Sequence, residues 1–153
     1  MPQKTALRPY RYRNVVIPHI YFDDATAAIA FYAKAFGAKQ LGEGTMATDD
    51  KGAIVHAEIV FHGTTLMLSD VTDAATYGSP EDVGTTSVSL HFFVEDAQPV
   101  FDQAVAAGCV EISPVTKLDY GATTGVLRDP FNHVWVIMSN PTEAMMNFGR
   151  EDL

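Results

Sequence analysis

The chain nearly repeats itself. VVIPHIYFDD at 15–24 leads into AIAFYAKAFGA, and 72 residues later VSLHFFVED at 88–96 leads into AQPVFDQAVAAGC. His19 and Asp24 map onto His91 and Asp96 at the same offset. Self-similarity at a fixed spacing marks a duplicated supersecondary unit, each copy of which needs a neighbour to bury its apolar face. Two such units facing one another would bring His19 and His91 to one shared site.

Each copy reads as a strand, a helix and three further strands. In the first, 15–22 is an apolar strand and Asp24 an N-cap. Ala28, Ile29, Tyr32, Ala33 and Phe36 then recur at helical spacing, closed by Gly37. Strands are expected at 39–47, 54–61 and 64–69, with Asp49, Asp50 and Gly52 in one turn and His62-Gly63 in a hairpin. Residues 70–86 are polar and rich in Gly, Pro, Ser and Thr, which predicts a linker or a flap. The order restarts with a strand at 88–94, the cap Asp96, and a helix lined by Val100, Phe101, Ala104 and Val105 and closed by Gly108. Strands follow at 110–114, 125–128 and 133–138, the last two joined by the turn 129–132. The fold class is α+β: two repeated βαβββ modules, 15–70 and 87–140, within one domain spanning 1–153. A sheet needs both faces covered, so the pair is expected to form a curved, barrel-like sheet around a cleft. A ferredoxin-like arrangement has two strands between its helices, whereas three are expected here.

Composition narrows the function classes. The net charge is -9 with no basic block, which argues against nucleic acid as a partner. The RPYRYR stretch at 8–13 is read as a pairing strand or a solvated arm. Cys109 is the one cysteine, so no intrachain disulfide forms; it is read as a buried thiol in a reducing compartment. No signal-peptide pattern and no long apolar run is seen, so a soluble, cytoplasmic protein without a membrane partner is expected. Met145, Met146 and Phe148 suggest a short docked segment at the end.

Four stretches carry a family resemblance: FYAKAFGA, HAEIVFHGTTLMLSD, SLHFFVEDA and LRDPFNHVWVIMS. With these, the chain resembles the vicinal oxygen chelate superfamily of glyoxalase I, extradiol dioxygenases and bleomycin or fosfomycin resistance proteins. The PhnB-like, glyoxalase-like branch is the nearest in kind. The resemblance covers about 15–139 and implies paired βαβββ modules, often a homodimer, and in the enzymes a divalent metal held by four side chains from the first and last strands of each module. Carried over, those ligand positions fall at Ile17 and Ser89, at Val136, and near Met67 or Ser69. The usual metal set is thus incomplete. The PhnB-like branch often carries Trp-Gly-Asp-Arg-Tyr before its Asp-Pro turn, where this chain reads Tyr120-Gly121-Ala122-Thr123-Thr124.

His19 and His91 share a strand face with those positions, two residues on. Neutral imidazoles bind divalent metals or move protons near neutral pH. His56 and Glu58 also share a face, so a shifted metal site of His19, His91 and Glu58 is conceivable, taking Zn, Ni, Mn or Fe, with Glu58 and His56 as catalytic acid–base groups. The blander reading makes the histidines hydrogen-bonded sheet residues and Glu58 a surface group. Tyr21, Met67, Ser69, Phe93, Tyr120 and Trp135 are candidates for a substrate-binding wall, and Met138 joins them, although sheet cores contain the same residue types. His133 is read as fixing the Asp-Pro turn and His62 as a hairpin tip. Three functions stay open: a small-molecule binding protein that needs no metal, a metal-dependent lyase, isomerase or dioxygenase, and an interaction domain with a vestigial cleft. The modules could pair within a chain or across a homodimer.

Overall fold

The computed structural model describes residues 15–41, 45–73 and 77–139. The RPYRYR stretch and the segment with Met145, Met146 and Phe148 lie outside the described residues.

The first module runs β1 (His19–Phe22), α1 (Ala25–Phe36), β2 (Lys39–Gln40), β3 (Met46–Thr48), β4 (Ile54–Phe61) and β5 (Thr64–Asp70). A short helix, α2 (Pro80–Val83), follows in the linker. The second module runs β6 (Ser89–Phe93), α3 (Ala97–Ala107), β7 (Val110–Lys117), β8 (Thr123–Arg128) and β9 (Val134–Ser139). Both long helices start and stop where their caps predict. Asp24 accepts from Ala27 N and Asp96 from Gln98 N, while Gly37 takes the left-handed conformation at φ 69°. The last strand of each module adds a second cap. Asp70 Oδ1 accepts from Ala25 N at 2.6 Å, and Ser139 Oγ from Ala97 N at 3.2 Å.

The expected barrel-like sheet does not form. The strands make two separate open sheets, β1-β5-β4-β2 with β3 also on β4, and β6-β9-β8-β7. In both, the first and last strands of the module pair in parallel and the rest antiparallel. The modules are held together by packing. Helices α1 and α3 touch, and Phe36 meets Trp135 at 4.7 Å and Phe92 at 5.7 Å between ring centroids. One core takes Ile20, Phe22, Tyr32 and Phe61 from the first module with Phe92, Phe101, Leu127 and Ile137 from the second. The helix-bearing faces satisfy each other's apolar surface, so no curling of the sheets is needed to bury it.

Strand limits differ from expectation for local reasons. β1 begins at His19 because Pro18 has no N–H to donate, and Val16 is 98% exposed. The expected 39–47 strand is two short pieces. Gln40 pairs with Ile59 and Met46 with Ala57, so the ladder cannot run unbroken, and Thr45 Oγ1 donates back to Leu41 O at 2.5 Å. β7 extends to Lys117 through Pro114, consistent with an edge strand. The hairpin turn at His62 and Gly63 has φ of 51° and 79°, the left-handed pair a two-residue turn requires.

The linker is pinned to both modules. Ser79 caps α2, accepting from Asp82 N and donating to the Asp23 carboxylate, while Asn132 Nδ2 donates to Pro80 O at 3.4 Å.

Candidate functional site

Alternation along β1 sends Ile20 and Phe22 into the core and His19 and Tyr21 to the opposite face. The strand register assembles that face. Met67 of β5 lies between His19 of β1 and Glu58 of β4, and Tyr21 lies beside Ser69. His56 is two residues from Glu58 on the same face.

The contacts within this group are specific. His19 Nε2 and Ser69 Oγ share a hydrogen bond of 2.9 Å. His56 Nε2–H donates to Glu58 Oε1 at 3.0 Å, an ion pair when the imidazole is protonated. The His19 ring stacks on Tyr21 at 4.8 Å and 4°, and His56 meets His19 edge-on at 5.9 Å. Tyr77 of the linker extends the stack, lying 4.6 Å from Tyr21 with planes 18° apart. Burial holds the His19 imidazolium down, with a smaller push from His56. Burial raises the Tyr21 phenol, followed by the influence of Tyr77.

Beside the stack is a cavity of about 560 Å³ at the seam between the modules. β1 supplies His19 and Tyr21, the linker Tyr77 and Pro80, and the second module Leu90 and His133. The size lies within the range of small-molecule sites. His133 Nε2–H donates to Tyr21 O at 3.2 Å, which ties the second module's turn to the first module's strand. Burial is the larger influence on His133 and lowers its pKa, against the Asp129 carboxylate, the Tyr21 carbonyl and Glu81.

The structure therefore joins His19, Tyr21, Ser69, His56, Glu58 and Met67 on one sheet face, of which His19 and Tyr21 line the cavity and the other four lie beside it, and leaves the other candidates elsewhere. His91 is exposed on β6, opposite Val136, with its ring 6.3 Å from Phe93. It is not on the cavity wall, and no contact joins it to His19 among the described residues. Phe93 is 51% exposed and Tyr120 56% exposed, each away from the cavity. Trp135 is in the core, donating from Nε1 to Asp129 at 2.9 Å. Met138 is buried in β9. Among the aromatic wall residues, His19 and Tyr21 were site candidates in the sequence, and Tyr77 and His133 were not. A lone aromatic in a polar linker was the one available signal for Tyr77.

The donors do not fit a metal. Among the described residues, no three His, Cys, Asp or Glu side chains converge on one point. The positions at which the superfamily's ligands would fall hold Ile17, Ser89, Val136 and Met67 or Ser69. Neutral alkyl, thioether and hydroxyl groups there are poor partners for a hard or borderline divalent ion.

Comparison with known proteins places this fold. An uncharacterized protein of Mycobacterium bovis, Mb0911c, is 34% identical over 133 residues, covering 85% of this chain and 86% of that protein. The PhnB protein of Bacillus cereus, described as a putative 3-demethylubiquinone-9 3-methyltransferase, superposes with a TM-score of 0.60 at 18% identity, covering 82% of this chain and 98% of that one. FosX of Listeria monocytogenes, a fosfomycin resistance protein solved with Mn(II) and sulfate, superposes at 0.62 and 12% identity, covering 86% and 96%. The model of the Glyoxalase/Bleomycin resistance protein/Dioxygenase superfamily matches residues 15–137, and the chain belongs to that superfamily.

Proposed function

We propose that the protein binds a small organic molecule in the seam cavity, by ring stacking and hydrogen bonding instead of metal coordination. The observation that carries this is the continuous row Tyr77–Tyr21–His19 beside a cavity of about 560 Å³ that both modules and the linker line. Stacked rings offer a large apolar contact at low entropic cost, while His19, Thr86 and Ser87 add polar residues to the wall. FosX holds Mn(II), but its likeness at 12% identity supports the fold alone, and this chain's donor set does not make a coordination sphere. The reading extends to a cytoplasmic homodimer. A single buried thiol suits a reducing compartment, and the exposed Phe93 and Val110 of the second sheet offer apolar surface to a second copy.

A fragment screen by NMR tests the reading. Binders are expected to shift resonances of Tyr21, Tyr77, Leu90 and His133 together, and Tyr21→Ala is expected to abolish those shifts. Mn(II) or Zn(II) is expected to leave the melting temperature unchanged. A metal-dependent rise that disappears in His19→Ala would overturn the metal-free mode, and a screen without any cavity shift would overturn the site.

A second reading rests on one contact. Glu58 orients His56 next to His19, the arrangement of a proton acceptor held by a carboxylate. Under this reading a bound molecule with an acidic C–H exchanges its hydrogen in D2O, and His56→Gln stops the exchange while binding persists. Exchange at the uncatalysed rate in the wild-type protein removes this reading and leaves the first.

A further inference from the structure

The aromatic row has two ends of different character. Tyr21 and His19 are set two residues apart on β1, and their rings are stacked nearly parallel, 4° apart. His19 is further held by Ser69. Tyr77 comes from the linker outside any helix or strand, and it is 57% exposed. Among the described residues, its ring contact is the stack on Tyr21. One offset stack of a solvent-exposed ring is a weak hold.

The surroundings of that ring are those of a ligand slot. Tyr77 itself lines the cavity, and Pro80, Val88 and Leu90 supply its aliphatic surface. Among the described residues, the lining contains no Lys, Arg, Asp or Glu. Burial also keeps His19 and His133 towards the neutral form. Bringing a charged molecule into such a slot costs its hydration without a countercharge to replace it. A flat, uncharged ring would instead gain the face of Tyr21 and the aliphatic wall together.

We propose that Tyr77 is a built-in placeholder: a flat, uncharged aromatic ligand displaces its ring from Tyr21 and takes its position in the stack. This rests on the seam cavity being the binding site, and adds the ligand's class and the residue it competes with. Apparent affinity then includes the free energy of displacing Tyr77, so removing that ring tightens binding.

Isothermal titration of the full chain with coumarin, a neutral flat bicycle, tests this. Tyr77→Ala is expected to bind coumarin about three- to tenfold more tightly than wild type, the range that one lost aromatic stack implies. Tyr77→Phe keeps the competing ring and is expected to match wild type. Tyr21→Ala is expected to bind at least about tenfold more weakly, as is wild type with coumarin-3-carboxylate in place of coumarin. On addition of coumarin, the Tyr77 ring resonances are expected to move towards free-tyrosine values as the ring current of Tyr21 is lost. Unchanged near-ultraviolet circular dichroism shows that each variant is folded. Equal or weaker binding by Tyr77→Ala makes Tyr77 a wall and overturns the placeholder. Cavity shifts with non-aromatic fragments but not with coumarin overturn the ligand class while leaving the binding site standing. No cavity shift with any fragment overturns both.

Discussion

Tyr32 in α1 donates its phenolic hydrogen to Asp129 Oδ2, 2.5 Å away across the boundary between the modules. The same oxygen accepts from Trp135 Nε1 at 2.9 Å, and Oδ1 accepts from the backbone N–H of Phe131 and of His133 at 2.9 and 3.0 Å. Asp129 is 3% exposed, so four fixed donors take the place of water around a buried carboxylate. The phenol responds in turn: burial, then the Asp129 charge, holds its pKa well above the usual tyrosine value. Asp129 thus shapes the turn that places His133 on the cavity wall and ties that turn to the first module's helix.

Removing the carboxylate is expected to cost more than removing any one donor. Asp129→Ala strands several buried donors and is expected to lower stability by about 3–5 kcal/mol in urea unfolding, in the range of broken buried networks. Tyr32→Phe deletes one donor and leaves three, for about 1–2 kcal/mol. The double variant is expected to cost less than the two losses added, because both act through one group. Additive losses would show that Tyr32 and Asp129 do not act as a unit.

The local devices of this fold were legible in the sequence, and the relation between modules was not. Asp24, Gly37 and Asp96 mark helix ends by their own side-chain or backbone chemistry, and the structure uses them where expected. Alternation separated Phe22 and Phe92 from His19 and His91, so the two faces of each strand were readable. What alternation lacks is any statement of which faces meet. The modules join through the helix-bearing faces, with Phe36 against Phe92 and Trp135, and the expected barrel gives way to two open sheets. The repeat made His19 and His91 equivalent in position along a strand, but equivalence within a module does not bring the two side chains together. Trp135 shows the same limit from the other side. Its strand position suited a wall or a core, and Tyr32, distant in sequence, together with Asp129 of the preceding turn holds it in the core.

Gly125 marks a close approach of α3 to the second sheet. A Cβ there would lie 2.7 Å from two ring carbons of Phe101 and 2.9 Å from Val115 Cγ2. The lack of a side chain is therefore what allows the ring of Phe101, 3% exposed, to pack against β8 at this point. Gly125→Ala is expected to lower stability by about 1–3 kcal/mol through overpacking, and Phe101→Leu in the same chain is expected to recover part of the loss. Chemical denaturation of the four proteins checks this. An alanine variant as stable as wild type would mean that α3 does not bear on β8 at Gly125.

Acid is expected to weaken the fold through the two histidines that flank Tyr21, His19 half-buried and His133 buried. Burial is the larger cause of the lowered pKa at both His19 and His133; a like charge on His56 adds to it at His19, and the Asp129 carboxylate, Glu81 and the Tyr21 carbonyl oppose it at His133. Their pKa in the unfolded chain is near the ordinary 6.5, so as pH falls through that value the unfolded state takes up protons first. Stability is then full above about pH 6.5 and declines from there down to the lowered folded-state values, below which both states are protonated and the loss is complete. Urea unfolding between about pH 7.5 and 5 is expected to show this decline, and a His19→Gln, His133→Asn double variant is expected to show a shallower one. An equally steep decline in the double variant would assign the acid sensitivity to other groups.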